Sequence, residues 1–359
     1  MLAVRTRAAA SSTERAWRRR RMLLAGPLVA VVSMIAAVLV TNAAGLPVRD
    51  PDHVAGKRLL ALFALVGLLF VLDVVVRAAR RSGRRVPSRA AMARVRRERW
   101  TVSRGIAVAS ALVSFYVSYL AYRNLKSVVP LIRPELFDRQ LVELDRSLFG
   151  GNDPAAILHA LFGTGWATQF FSGAYMLFFA FIPGTLAFAL VFTPNLRAGL
   201  FYATAQSLNW LLGAASYFLL PSLGPVYAEP SLFSHLPASG VTELQAFLFD
   251  QRIAFIHDPA THAAQSIGAF ASLHVSIFFT GALAAHLLGF GRTVRIGAWS
   301  LLGLTTTATI YLGWHYVLDD VGGLVIGVMA LVFARALTGF DLRTAREPST
   351  LSRPSPTPA

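Results

Sequence analysis

Apolar residues along this chain fall into eight runs, each bounded by polar or charged stretches. The runs cover residues 22–43, 58–76, 105–122, 166–192, 198–220, 270–288, 294–314 and 317–337. A helix needs about 20 mostly apolar residues to cross a bilayer. The pattern therefore predicts an all-α, polytopic membrane protein with about eight transmembrane helices. Arginines precede the first run, as in a secretory signal. The run is long for that role and Asn42-Ala43-Ala44 is a weak cleavage site, so it reads as a retained anchor.

Two of the intervening segments are long, 124–165 and 221–269. In the first, Phe137, Leu141, Leu144 and Leu148 recur at helical spacing, with Asp138, Arg139, Glu143 and Asp145 between them. That spacing predicts an amphipathic helix lying at the interface. Gly150-Gly151-Asn152-Asp153-Pro154 then breaks it. The second segment is rich in Pro, Gly and Ser and reads as a functional loop. Residues up to about 16 and the C-terminal tail read as disordered.

Composition agrees with a lipid solvent. The 359 residues are 55% hydrophobic and 14% charged, against about 25% charged in soluble domains. The absence of cysteine excludes disulfides and thiol chemistry. The net charge of +16 could indicate nucleic acid, but no nucleic-acid-binding fold accompanies it. The arginines cluster at 18–21 and between 77 and 104, beside apolar runs, as topology signals do. With the N-terminus inside, each basic segment falls on the cytoplasmic side, both termini are cytoplasmic and the long segments lie outside. The organisation expected is a basic tail (1–21), two helices with an Arg-rich linker (22–103), a six-helix catalytic core (104–340) and a disordered tail (341–359).

Ionisable residues at membrane depth mark function. His274 begins the sixth run, His315 ends the seventh, and Asp319 and Asp320 enter the eighth. The topology brings His274, His315 and Asp319 to one face, the extracytoplasmic one. A neutral imidazole can attack phosphorus, a carboxylate can orient it, and a second, protonated imidazole can protonate the leaving oxygen. His315 and Asp319 are four apart and share a helix face.

The stretches Gly268-Ala269-Phe270-Ala271-Ser272-Leu273-His274 and Tyr311-Leu312-Gly313-Trp314-His315-Tyr316-Val317-Leu318-Asp319 resemble motifs of the type 2 phosphatidic acid phosphatase superfamily. Within it they look most like the inositol phosphorylceramide synthase branch. The resemblance, over about 105–337, implies that His315 is the nucleophile, Asp319 its orienting acid, His274 the general acid and Ser272 a phosphate contact. The superfamily's first motif, K-x6-R-P, is matched by Lys126 and Arg133-Pro134, which makes Lys126 and Arg133 substrate-binding candidates. Two departures stand out. Ala308 and Thr309 occupy positions where phosphatases have Ser-Arg, and Ala271 and Leu273 replace the usual Pro and Gly. Both favour the phosphotransferase branch and leave the phosphate-binding cation open among Lys126, Arg133, Arg123 and Arg252.

The expected activity is phosphoryl or phospho-headgroup transfer from a membrane lipid to a hydroxyl acceptor of the cell envelope, with no metal or other cofactor. A lipid phosphatase acting on phosphatidic acid or a polyprenyl phosphate shares every catalytic residue. Two structural histidines in a transporter or scaffold form the rival from another class. A metal site built from the histidines with His257, Asp258 and His262 is a further alternative. Donor, acceptor and oligomeric state are not legible in the chain.

Overall fold

The computed structural model describes residues 2–50, 53–193, 195–260 and 267–342. Among them the secondary structure is helical, with no strand. The first two helices, α1 (Leu2–Ala43) and α2 (Val54–Ser82), are followed by α3 (Arg89–Arg99) in the basic linker. α1 starts at Leu2, so the N-terminal segment expected to be disordered is helical. The expected disordered tail lies outside the described residues from 343 onward.

α4 (Val102–Ile132) continues past the apolar run that ends at 122. Arg123, Asn124, Leu125 and Ser127 are buried against the protein, so the helix persists where the lipid-like sequence stops. Lys126, expected just beyond the span, therefore lies within the helix. The fourth apolar run is divided at Leu177 into α7 (Trp166–Met176) and α8 (Phe178–Val191). The N–H of Leu177 donates to both Gly173 and Ala174 carbonyls, a bifurcated arrangement common at helix ends.

α9 (Leu196–Leu219) is the central post. It packs against α1, α4, α8, α12 (Leu273–Leu287) and α14 (Val317–Thr338). Several of its polar side chains are bonded inside the bundle. Asn209 Nδ2 donates to Thr280 Oγ1 at 3.0 Å, Ser276 Oγ donates to Asn209 Oδ1 at 2.6 Å, and Gln206 Nε2 donates to Tyr202 Oη at 2.8 Å. Buried polar groups with partners hold neighbouring helices in one register. Because α1 touches both α4 and α9, the N-terminal helices are part of the body of the molecule.

Among the described residues five helical segments are long and apolar enough to cross a membrane: Ala16–Ala43, Gly56–Ser82, Val102–Ile132, Trp166–Val191 and Val317–Thr338. The sequence predicts eight. α12 has 15 residues. α9 and α13 (Arg292–Tyr311) have the length, but α9 carries the polar pairs above and α13 opens with Arg292 and Arg295.

The long segments are also helical. The first holds α5 (Asp138–Leu148) and α6 (Pro154–Phe162); the second holds α10 (Pro225–Ala228), a 3-10 turn at Pro230–Leu232 and α11 (Gly240–His257). The second segment is thus not simply a loop. Ser239 caps α11 reciprocally with Thr242. In α5 the buried face is Asp138, Leu141, Val142 and Asp145, while Leu144 and Leu148 are exposed. Only Leu141 of the expected apolar stripe is fully buried, because the two aspartates turn inward to accept backbone hydrogen bonds.

Candidate active site

Two chain reversals build the site. The segment before α12 is fixed by backbone hydrogen bonds on three sides. Ala269 N donates to the Ser222 carbonyl at 2.9 Å, Ala271 N to Ser216 Oγ at 2.9 Å and Ser272 N to the Asp319 carbonyl at 2.8 Å. Ser272 then caps α12, its Oγ accepting from Val275 N at 3.4 Å. His274 sits in the first turn. Its ring packs on Phe178 and Tyr175, with centroids 4.2 and 4.5 Å away.

The second reversal joins α13 to α14. Gly313 takes a left-handed φ of 72°, and Trp314 N and His315 N both donate to the Thr309 carbonyl. Tyr316 is anchored twice: its N–H donates to Asp319 Oδ2 at 2.9 Å and its Oη to Asp138 Oδ1 at 2.9 Å. Val317 N donates to Asp145 Oδ2 at 3.0 Å. Asp138 also accepts from the N–H groups of Leu223 and Gly224. α5 therefore clamps the start of α14 and the 221–225 turn together through two buried carboxylates.

α14 meets the first reversal across glycine. A Cβ at Gly323 would stand 2.4 Å from the Ser272 carbonyl oxygen, and one at Gly322 would stand 2.8 Å from Ala271 Cβ. Only hydrogen at these positions lets the two reversals touch.

The outcome is a facing pair of imidazoles. The His274 and His315 ring centroids are 5.7 Å apart, and both line one cavity of about 670 Å³. His315 Nδ1 is 3.4 Å from Asp319 Oδ2, longer than a regular hydrogen bond. Catalytic hydrogen bonds are often long before substrate binds. Burial pushes the His315 imidazole down to about 4, with Lys126 acting in the same direction and Asp320 and the Ala269 carbonyl against it. His315 is therefore a neutral base near pH 7.

Lys126 lines the same cavity. Its ammonium lies over the rings of Tyr217 and Tyr122, 5.1 and 5.9 Å from their centroids. Ser272 is fully buried behind the cavity, against Asp320, and Asp320 also accepts from Thr309 Oγ1 at 3.3 Å. The structure does not bring Arg133 to the histidines. Its Nη1 donates to the Phe218 carbonyl at 3.0 Å, it lies 3.6 Å from Glu135, and it lines a separate small cleft with Arg252. Arg123 reaches the cavity but pairs with Asp50 at 3.2 Å.

Residues 139–333 match the sequence model of the PAP2 superfamily. The chain belongs to the PAP2 superfamily. Members of the PAP2 superfamily are generally phosphatases and phosphotransferases. No curated protein and no solved structure matches the chain. The PAP2 match includes His274, His315 and Asp319 and begins after Lys126 and Arg133.

Several residues around this PAP2 cavity escape a reading of the sequence. Tyr175 and Trp314 stack 5.4 Å apart and nearly parallel beside the histidines. Tyr119, Tyr122 and Trp210 also line the cavity, and Arg58 enters from α2. Asp138 and Asp145 escape it as well, since they stand among the polar positions of an amphipathic pattern. Among the described residues no group of three or more His, Asp or Glu side chains comes together to hold a metal ion. His257 and Asp258 are described; His262 lies outside the described residues.

Proposed function

We propose that this PAP2 superfamily protein is a membrane phosphotransferase acting on a lipid donor through a phosphohistidine. The observation that supports the reading best is the facing pair His274 and His315 at one largely apolar cavity, with Asp319 behind His315. The donor's phosphorus sits between the rings. His315 attacks through Nε2, the nitrogen remote from Asp319, and a P–N bond forms as the P–O bond to the leaving group breaks. Asp319 stabilises the positive charge that the ring acquires. His274, protonated, gives its proton to the departing alcohol. It then takes a proton from an acceptor hydroxyl, whose oxygen attacks phosphorus and releases His315. Lys126 neutralises the phosphoryl oxygens.

Transfer to an alcohol, as in the inositol phosphorylceramide synthase branch, is favoured over hydrolysis by Ala308 and Thr309. They stand where phosphatases place Ser-Arg, and Thr309 is instead bonded to Asp320. The positive-inside distribution of arginine supports an extracytoplasmic position for the cavity.

The test is product analysis. Purified protein and His315→Ala are incubated with phosphorus-labelled membrane lipids, with and without a polyol or glycolipid acceptor. Label reaching the acceptor only when His315 is present is the expected result. Free phosphate released regardless of acceptor would make the protein a phosphatase. Identical label distributions in both proteins would end the enzymatic reading.

A further inference from the structure

α2 lies outside the residues that match the superfamily, yet it walls the same cavity through Arg58, Ala61, Leu62 and Leu65. It is seated against α4 and α8. Arg58 lies in the second turn of α2, and its exposed guanidinium is at the cavity mouth. The guanidinium carbon lies 5.6 Å from the Tyr119 ring centroid and 5.8 Å from that of Phe179. Arg58 Nη1 donates to Tyr119 Oη.

Among the described residues no carboxylate pairs with Arg58, whereas Arg123 on the same wall is neutralised by Asp50. Lys126 resembles Arg58 in being held by aromatic faces. Aromatic rings orient a cation without cancelling its charge. A guanidinium has five N–H donors, so most of Arg58's capacity is left for a ligand.

The two cations are held from different turns of α4. Tyr119, which holds Arg58, and Lys126 are seven positions apart on α4, or roughly 10 Å along the axis. Lys126 shares its end of the cavity with the histidines. Arg58 is held by Tyr119 and Phe179, and Lys126 by Tyr122 and Tyr217.

We propose that Arg58 is a specificity-determining residue that holds a second anionic group of the substrate, separate from the reacting phosphorus. The substrate class is a lipid whose headgroup carries a further negative charge. α2 is then part of the substrate site. This inference rests on the reading of the cavity as a lipid-phosphate site.

The experiment measures binding in the His315→Ala background, where turnover does not interfere. Fluorescence of the cavity tryptophans, Trp210 and Trp314, reports titration with two probes in neutral detergent micelles. One is phosphatidylinositol 4-phosphate, with two separate anionic groups; the other is phosphatidic acid, with one. Adding Arg58→Gln is expected to weaken the first by about tenfold and to change the second less than about twofold. Adding Arg58→Lys instead should recover much of the loss. Equal losses for both lipids would reduce Arg58 to a support for α2 and overturn the proposal, as would no loss for either. Turnover of the otherwise wild-type protein is measured separately. No turnover on any lipid, together with Arg58-dependent discrimination, would defeat the catalytic reading and leave this one standing.

Discussion

The floor of the cavity and its wall are built by different physics. The floor is the pair of reversals at 267–276 and 312–320. It is held by directional hydrogen bonds to Ser216, Ser222, Asp138 and Asp145, and by glycine contacts that admit no side chain. The wall is mostly rings and aliphatic side chains from α2, α4, α7, α8, α9 and α11. A phosphoryl-transfer centre needs its groups held within fractions of an ångström. A lipid chain needs apolar surface and tolerates varied shapes. The contrast teaches that changes in the floor should act on rate, and changes in the wall on substrate affinity.

The largest effect should come from the floor. His315→Ala should lower kcat by about 10⁴-fold or more, and Asp319→Asn by about 10²- to 10⁴-fold, with KM little changed. Steady-state kinetics on the labelled lipid check both. Next is Gly323→Ala, whose new methyl would meet the Ser272 carbonyl oxygen at 2.4 Å. It should destabilise the fold by about 1–3 kcal/mol and depress kcat, read by thermal melting in detergent alongside turnover. The wall should respond differently. Phe247→Ala, which trims an exposed ring lining the cavity, should raise KM by about two- to tenfold while leaving kcat within about twofold. An equal drop in kcat for Phe247→Ala and Asp319→Asn would erase the distinction between floor and wall.

The smallest expected effect concerns pH. As the proposed nucleophile His315 must be neutral, and burial lowers its pKa to about 4. Protonation is therefore lost as pH rises through about 4, and the nucleophile is available above that value. The acidic limb of kcat/KM assigned to His315 should lie near pH 4. An ordinary histidine would place it near about 6.5. A pH–rate profile in detergent distinguishes the two.

Much of the floor was legible in the sequence. His274, His315 and Asp319 stand in local motifs, and alternation of basic loops along the chain puts them on one side of the bundle. The clamp was not legible. Asp138 and Asp145 looked like the wet face of an amphipathic helix, because nothing local says that their partners include backbone N–H groups 86 and 172 residues away. Lys126 was visible as a motif residue, but the continuation of α4 through it was not. Hydropathy falls when polar residues face protein, even though the helix goes on. Arg133 fitted the motif spacing yet turns to the Phe218 carbonyl. Arg58 gave no signal, since its role depends on α2 docking beside α4 and α8, a long-range contact outside the PAP2 match.

The most direct test of the central claim is to trap the covalent intermediate. The protein is mixed with phosphorus-labelled donor lipid without acceptor, quenched in base within the first turnover and digested for peptide mapping. One base-stable, acid-labile label is expected, on the peptide containing His315, present in the wild type and absent from His315→Ala. Efficient transfer with no label on any peptide, or label persisting in His315→Ala, would contradict it.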